Sequence, residues 1–342
     1  MAIPVIDFSA WTNHASRDQR QAVSKELVKA CREVGFAYII NHGVPQDAVD
    51  HAFAISKRFY DLPHEEKMKA PHPPGWAHHR GYSSPGLEKV SAVLAKEDDE
   101  ALVNNLRSVT DCKESYEIGS DENPDQPNIW LPQSSLADFR PFMTQFYWTC
   151  FNAASDILRA LSLGLGLEEE ESLLRLHSGH YNQLRSLHYP PIPARAIEEG
   201  SMARMPAHTD WSSMTMLFQD DCGGLEIEDP NVLGKFIPAE PIKGALVMNV
   251  GDLLMRWSND YLKSTSHRVT LPPLQDRFSG DDRLTRARYS IVYFLSTDPD
   301  LLIECLPACV DKDNPAKYEP ITQRDYAAMR ARVLYQSVPT GS

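Results

Sequence analysis

His208-Thr209-Asp210 sets an imidazole and a carboxylate two residues apart, and on a strand that spacing turns both side chains to one face. Such a pair can grip one ion. Fe(II) is well served by two imidazoles and one carboxylate on a single triangular face, because three neighbouring coordination positions then stay open for reacting molecules. His267, in the run Lys263-Ser264-Thr265-Ser266-His267-Arg268-Val269, is the candidate second imidazole, and the β-rich chain between offers a route back to the site. With 12 histidines present, one His-x-Asp is expected by chance on the order of once. A surface motif and a hydrogen-bonded core histidine are therefore the plain alternative. Arg288-Tyr289-Ser290, about twenty residues further on, shifts the balance, since a period of two again puts two polar side chains on one strand face. A guanidinium gives a carboxylate two parallel, charge-assisted hydrogen bonds, a serine adds a hydroxyl, and Tyr189 offers another donor. The combination is a metal triad beside a pocket for an acid.

The elements that must position these residues are short strands. From about Asn182 onward the chain breaks into β-rich runs divided by Pro, Gly and Asp: Gln183 to Tyr189, Ser213 to Gln219, Gly224 to Glu228, Gly244 to Asn249 and Tyr289 to Leu295. That density reads as a sandwich or barrel, a catalytic β core over roughly residues 180 to 300. Before it, Ile3 to Phe8 reads as a strand, and Asp18 to Val34 as a helix ended by Gly35. Phe36 to Ile40 reads as a strand, and Pro45 to Tyr60 as a second helix. A Pro-, Gly- and His-rich stretch from Pro71 to Pro85 reads as a long lid-like loop. A helix of about seven turns starts near Leu136, with Phe139, Phe142, Phe146, Ala153 and Ile157 at core spacing. Glu168 to Glu171 reads as a solvated helix start, and Gly251-Asp252 as a tight turn between strands. His42, His188 and the pair His78/His79 read as structural, hydrogen-bonded residues.

The chain has 342 residues, 42% of them hydrophobic and 24% charged, enough to bury a sizeable core. A net charge of −13 argues against a general nucleic-acid binder, because affinity for phosphates rests on clustered Lys and Arg, and favours a small-molecule partner. The six cysteines form no zinc or CxxC pattern. The sequence carries no signal-like start and no 18-residue apolar run, so it reads as a reducing, cytoplasmic protein with no membrane partner.

Taken in order, Ile3-Pro4-Val5-Ile6-Asp7-Phe8, Gly35-Phe36, Asn41-His42-Gly43, Arg80-Gly81-Tyr82, His208-Thr209-Asp210 and Gly223-Gly224-Leu225 open a series of motifs. Asn249-Val250-Gly251-Asp252, Ser258-Asn259-Asp260, His267-Arg268-Val269 and Arg288-Tyr289-Ser290 complete it. The series resembles the isopenicillin N synthase-like family of Fe(II)/2-oxoglutarate dioxygenases over nearly the whole length. Within that family the chain resembles fungal thymine 7-hydroxylase through Lys113 to Gly119, Leu187-His188-Tyr189-Pro190 and Arg256 to Asp260.

The resemblance implies a mainly β protein with flanking helices, its core a double-stranded β-helix (jelly roll). Residues 1–135 would form the N-terminal helical region and 136–342 the long helix, the core and a C-terminal helix, all in one structural unit. It implies Fe(II) held by His208, Asp210 and His267, with 2-oxoglutarate and O2 as cosubstrates. Arg288, Ser290 and Tyr189 would hold the distal carboxylate of 2-oxoglutarate, which leaves as succinate while a small organic molecule is oxidised, most simply by hydroxylation. Many plant members carry Asn where Leu187 stands here, which removes one hydrogen bond to the cosubstrate. Trp211 occupies the place of a tyrosine in the thymine enzyme, Arg185 and Asn182 match residues of that enzyme, and Phe294 would close the other side. These four point to a flat or cyclic substrate larger than thymine, a product of fungal secondary metabolism, unless Trp211 is merely a core residue. Three alternatives stand beside this reading: hydroxylation of a pyrimidine methyl group, a ring-closing oxidase of the same family that needs no 2-oxoglutarate, and a non-catalytic jelly-roll binding module.

Overall fold

The computed structural model describes residues 2–74, 78–87 and 110–335. Strand β1 (Val5–Asp7) is followed by helix α1 (Arg17–Glu33), strand β2 (Phe36–Ile40) and helix α2 (Gln46–Tyr60). Ser16 starts α1 with a reciprocal cap: its hydroxyl accepts from the Gln19 amide while the Gln19 side chain accepts from the Ser16 amide. Gly35 ends it at φ +79°, and a Cβ there would strike Lys263 O and Thr265 Oγ1. Strands β3 (Gly81–Ser83) and β4 (Glu114–Ile118) precede the long helix α3 (Phe139–Gly164), which runs through the body of the molecule with Phe139, Phe146, Ala153 and Ile157 buried.

The rest is the β core. Its strands are β5 (Gln183–Tyr189), β6 (Met205–His208), β7 (Met214–Gln219), β8 (Leu225–Glu228), β9 (Phe236–Pro238) and β10 (Ala245–Val250). Helix α4 (Asp252–Trp257), strands β11 (His267–Val269) and β12 (Arg288–Leu295), and the C-terminal helix α5 (Gln323–Tyr335) complete it. Two sheets result, in the orders β1-β2-β10-β7-β12-β5-β4-β3 and β9-β8-β11-β6. The period of two divides the strands of the large sheet. Met214, Met216, Phe218, Ile291, Tyr293 and Leu295 face a helical layer with Leu27, Cys31, Ile157 and Leu161, whereas Leu187, Tyr189, Val247 and Val292 face the small sheet's Met205, Leu225, Ile227 and Val269. Among the described residues no helix is long and apolar enough to cross a membrane.

Four expectations need correction. The β core is not confined to residues 180 to 300, because β1 and β2 complete one edge of the large sheet and β3 and β4 the other. Part of the expected Pro71–Pro85 loop is accordingly the strand β3, whose backbone pairs with β4. Glu168 to Glu171 does not start a helix: the segment is a run of bends and turns before a short 3₁₀ turn. Its acids are spent on ion pairs, Glu170 with Arg20 and Glu171 with Arg159. Gly251-Asp252 joins no two strands but opens α4.

On the outer face of the large sheet, Glu114 binds three elements together. It pairs with Lys67 at 2.7 Å, accepts from Tyr82 Oη, and meets His188 Nδ1 at 2.7 Å across the β4–β5 register. The His188 ring stacks on Tyr289, with centroids 4.6 Å apart, so this histidine is structural and points away from Tyr189. Burial pushes the Glu114 carboxyl upward, but the bonds from His188, Lys67 and Tyr82 outweigh it and hold its pKa below the ordinary value. A carboxyl with a lowered folded pKa contributes stability that is complete above its unfolded value and is lost as pH falls through the folded one. Glu114→Gln should therefore cost about 3–5 kcal/mol at neutral pH, since Lys67 is left buried and unpaired. The deficit should shrink below about pH 4.5, where the unfolded carboxyl is protonated. Urea melts at a series of pH values check this, and an equal deficit at about pH 7 and about pH 3.5 would refute it.

Candidate active site

A cavity of about 1200 Å³ opens between the two sheets. His208 and His267 stand directly opposite each other on the antiparallel strands β6 and β11, their rings 4.3 Å apart. Asp210 lies beyond the end of β6, so the strand period does not carry it to the site. A turn does, and α4 pins that turn: the amides of Gly251, Asp252 and Leu253 donate to the carbonyls of Ser213, Asp210 and Ser212. The approach is so close that a Cβ on Gly251 would collide with Ser212 O.

The result is a ring of three ligand atoms. Asp210 Oδ1 lies 3.8 Å from Nε2 of His208 and 3.8 Å from Nε2 of His267. The other oxygen, Oδ2, accepts from Thr215 Oγ1 at 2.6 Å and Asn249 Nδ2 at 2.8 Å, which fixes the carboxylate's rotation. Each imidazole turns Nδ1 to a backbone carbonyl, Pro206 for His208 and Thr265 for His267, leaving Nε2 for the ring. Burial works against the Asp210 charge, yet the two imidazoles and the bonds from Thr215 and Asn249 prevail and lower its pKa; burial first, then the neighbouring imidazole, lowers that of His208. Both directions suit a cation: a carboxylate kept charged and an imidazole kept neutral. One ion with bonds of about 2.0–2.2 Å reaches atoms separated by up to roughly 4 Å, so the donor set fits a single metal.

The residues expected to form an acid pocket lie on β12 and its neighbours. Its register with β5 and β7 places Arg288 beside Tyr189, and Ser290 between Leu187 and Gln219. Arg288 is almost fully buried, with its guanidinium 5.1 Å from the Tyr189 ring centre. Its Nη1 donates to Ser290 Oγ at 3.2 Å and its Nη2 to Gln219 Oε1 at 3.4 Å, while Nε has no partner among the described residues. An arginine that keeps a buried donor unspent fits an acidic ligand. Leu187 lines the same wall, so it is apolar where the plant enzymes offer an amide.

Of the four residues expected to face substrate, three line the cavity. Trp211 is half-buried with Arg330 of α5 lying 5.6 Å over its ring; Arg185 pairs with the buried Glu117; Phe294 lies beneath Arg185. Asn182 does not line it. Its amide bonds Tyr293 Oη at 2.9 Å and the Ser296 amide at 2.9 Å, so it shapes the wall from behind. Reading by motif also passed over Asp252, which receives Thr209 Oγ1 at 3.1 Å and Ser264 Oγ at 2.6 Å and pairs with Arg330 at 3.3 Å. It ties the turn of Asp210 to the strand of His267. The Asn249 to Asp252 motif was visible, but nothing in it says that a buried carboxylate must gather donors. One other group of metal-ligand type stands among the described residues: His72 and His79, which line the cavity, with Glu117, which already accepts from Gln183 at 2.7 Å.

Residues 3–134 match the N-terminal model of the non-haem dioxygenases, described from morphine synthesis, and residues 177–297 match the 2-oxoglutarate/Fe(II) oxygenase superfamily. A 2-oxoglutarate-Fe(II) type oxidoreductase, ppzD of Metarhizium rileyi, is 36% identical over 97% of this chain and 91% of its own. The proline hydroxylase buaE of Petromyces alliaceus is 36% identical over 98% and 100%. Among solved structures, the thymine 7-hydroxylase of Neurospora crassa in complex with α-ketoglutarate and thymine superposes with a TM-score of 0.81 at 35% identity, covering 98% of this chain and 97% of that one. Fold, donor set and likeness converge: the chain belongs to the 2-oxoglutarate/Fe(II) oxygenase superfamily and is an Fe(II)- and 2-oxoglutarate-dependent dioxygenase.

Proposed function

We propose that His208, Asp210 and His267 hold the Fe(II), that Arg288, Ser290 and Tyr189 take the distal carboxylate of 2-oxoglutarate, and that the remaining cavity admits a cyclic organic molecule for hydroxylation. The observation that carries this reading is one cavity bordered by both the three-atom ring and the acid pocket with its unspent Arg288 donor. Bound there, Fe(II) supplies the O2 chemistry that couples loss of CO2 from 2-oxoglutarate to oxidation of the second molecule. The protein's part is placement. Arg288 neutralises and orients the cosubstrate, Thr215 and Asn249 keep Asp210 from turning, and the apolar wall of Leu187, Val292 and Leu217 keeps the chemistry dry.

The same cavity supports a substrate larger than a pyrimidine. Its volume exceeds the roughly 300–1,000 Å³ usual for one small ligand, which leaves generous room beside the cosubstrate. Arg185 is charge-balanced by Glu117, an arrangement suited to the carbonyl of a neutral ring more than to a free acid. Trp211 and Phe294 offer flat surfaces to such a ring. The kinship with fungal enzymes such as the 2-oxoglutarate-dependent dioxygenases htyE of Aspergillus rugulosus and phqC of Penicillium fellutanum supports a place in fungal secondary metabolism.

Alanine at His208, Asp210 or His267 should abolish Fe(II) binding, read by anaerobic calorimetry, and with it succinate formation, while circular dichroism stays native. Retained one-to-one iron binding in all three variants would refute the assignment. Arg288→Leu should raise the 2-oxoglutarate KM about ten- to hundredfold, because a charge-assisted bond of about 1.5–3 kcal/mol is lost; Ser290→Ala should do less. Unchanged KM in Arg288→Leu, or oxidised product formed without succinate in the wild type, would overturn the cosubstrate site. Trp211→Ala should raise the KM of the oxidised substrate while leaving that of 2-oxoglutarate within about twofold; the reverse pattern would place the substrate elsewhere.

A further inference from the structure

At the end of β12 opposite Arg288, two residues bordering the cavity each hold a buried polar atom that no other described residue bonds. Thr297 is fully buried and borders the cavity, yet its Oγ1 has no partner among the described residues. Gln323, the first residue of α5, also borders it with a buried Oε1 that is likewise unpartnered among the described residues. Buried polar atoms without partners are rare in native proteins, because each forfeits its hydration unless something satisfies it.

Both belong to one corner, and that corner is firmly built. The Arg324 amide donates to Pro299 O at 3.0 Å, so the start of α5 is seated on the segment that follows Thr297. Arg324 also bonds Asp300 at 2.8 Å and Asp125 at 3.0 Å, which fastens the helix to the core and to the N-terminal region together. From behind, Asn182 Oδ1 receives the Ser296 amide and Nδ2 donates to Tyr293 Oη, which fixes the backbone just before Thr297. The two unspent atoms are therefore on anchored backbone, and neither is a neighbour of the metal or cosubstrate residues in sequence.

We infer that Thr297 and Gln323 form a substrate subsite for a secondary amide or lactam edge. The chemistry follows from the donor inventory. Gln323 Oε1 can only accept, so its partner carries an N–H or O–H; the Thr297 hydroxyl can donate, so its partner includes a carbonyl. A lactam presents both, side by side, on one flat edge. The inference rests on the proposed function, since it names the group that the cavity's substrate would turn toward this corner. Asn182 is then a positioning residue for substrate, acting through Ser296 and Thr297.

The test uses full-length protein loaded anaerobically with Fe(II) and 2-oxoglutarate, and matched probes that differ in a single N-methyl group: thymine against 3-methylthymine, and quinolone against N-methylquinolone. Calorimetry should find the N–H member bound about threefold to tenfold more tightly in at least one pair. Gln323→Leu and Thr297→Val should each bring that ratio toward one, and Thr297→Ser should keep it. Fe(II) and 2-oxoglutarate binding by the same variants reports that they are folded. A wild-type protein without N–H preference in any pair, or a preference that survives both Gln323→Leu and Thr297→Val, overturns the subsite. Binding of Fe(II) and 2-oxoglutarate by the wild-type protein is a separate arm: its absence sinks the functional reading itself, whereas its presence without an N–H preference sinks only this one.

Discussion

The Asp210 carboxylate is the constraint around which the core is arranged. A buried negative charge is tolerated only when donors and cations answer it, and here the answers come from several strands at once. Thr215 and Asn249 are direct cross-strand partners in the β7–β10 register, so the same pairing that closes the large sheet delivers two donors to one oxygen. The two imidazoles, partners across the β6–β11 register, face the other oxygen. A slip of one residue in either register would turn these groups to the opposite face. The requirement to satisfy one carboxylate thus fixes how the two sheets are threaded.

From that point the cavity extends along β12 in two directions with different chemistry. Toward Arg288 the wall is cationic, and behind it Arg204 lies 6.0 Å over the Tyr189 ring as a second buried guanidinium. Toward Phe294 it becomes mixed, bordered by Arg185, Trp211 and the first turns of α5. A single strand with alternate inward residues at 288, 290, 292 and 294 is the scale along which these environments are laid out.

Much of this was legible beforehand, for reasons that differ by residue. Five of the core strands announced themselves as apolar runs divided by Pro, Gly and Asp turns, and Gln183 to Tyr189 is a strand over those very residues; Met205–His208, Phe236–Pro238 and His267–Val269, three or four residues each, are too short to show a period. The grouping of His208, Asp210 and His267 was legible because these side chains are chemically distinctive and the spacing of two is short. The outlying strands β1 to β4 were harder: their pairing partners lie up to about 200 residues away, and no local pattern records that β2 will bind β10. Asn182 and Asp252 were hardest, since each is a polar residue whose partners are set only once the backbone has folded. Asn182 matches a residue of a relative in kind, yet its amide is consumed by Tyr293 and Ser296. Glu168 to Glu171 failed as a helix start for the complementary reason, because distant arginines at 20 and 159 claim its acids.

The large sheet draws both of its edges from the first 118 residues of the chain, and that order shapes how the protein can be made. β2 needs β10, and β4 needs β5, before their hydrogen bonds can close. At about 5–20 residues per second on the ribosome, β2 waits on the order of ten to forty seconds for its partner to be made. During that time the buried apolar run Phe36 to Ile39 has only the three-residue β1 to pair with. The amphipathic helices α1 and α2 that flank it are the nearest structure with an apolar face to lend. The nascent chain therefore passes through an interval in which an apolar strand edge stands open to aggregation, whatever the stability of the finished sheet.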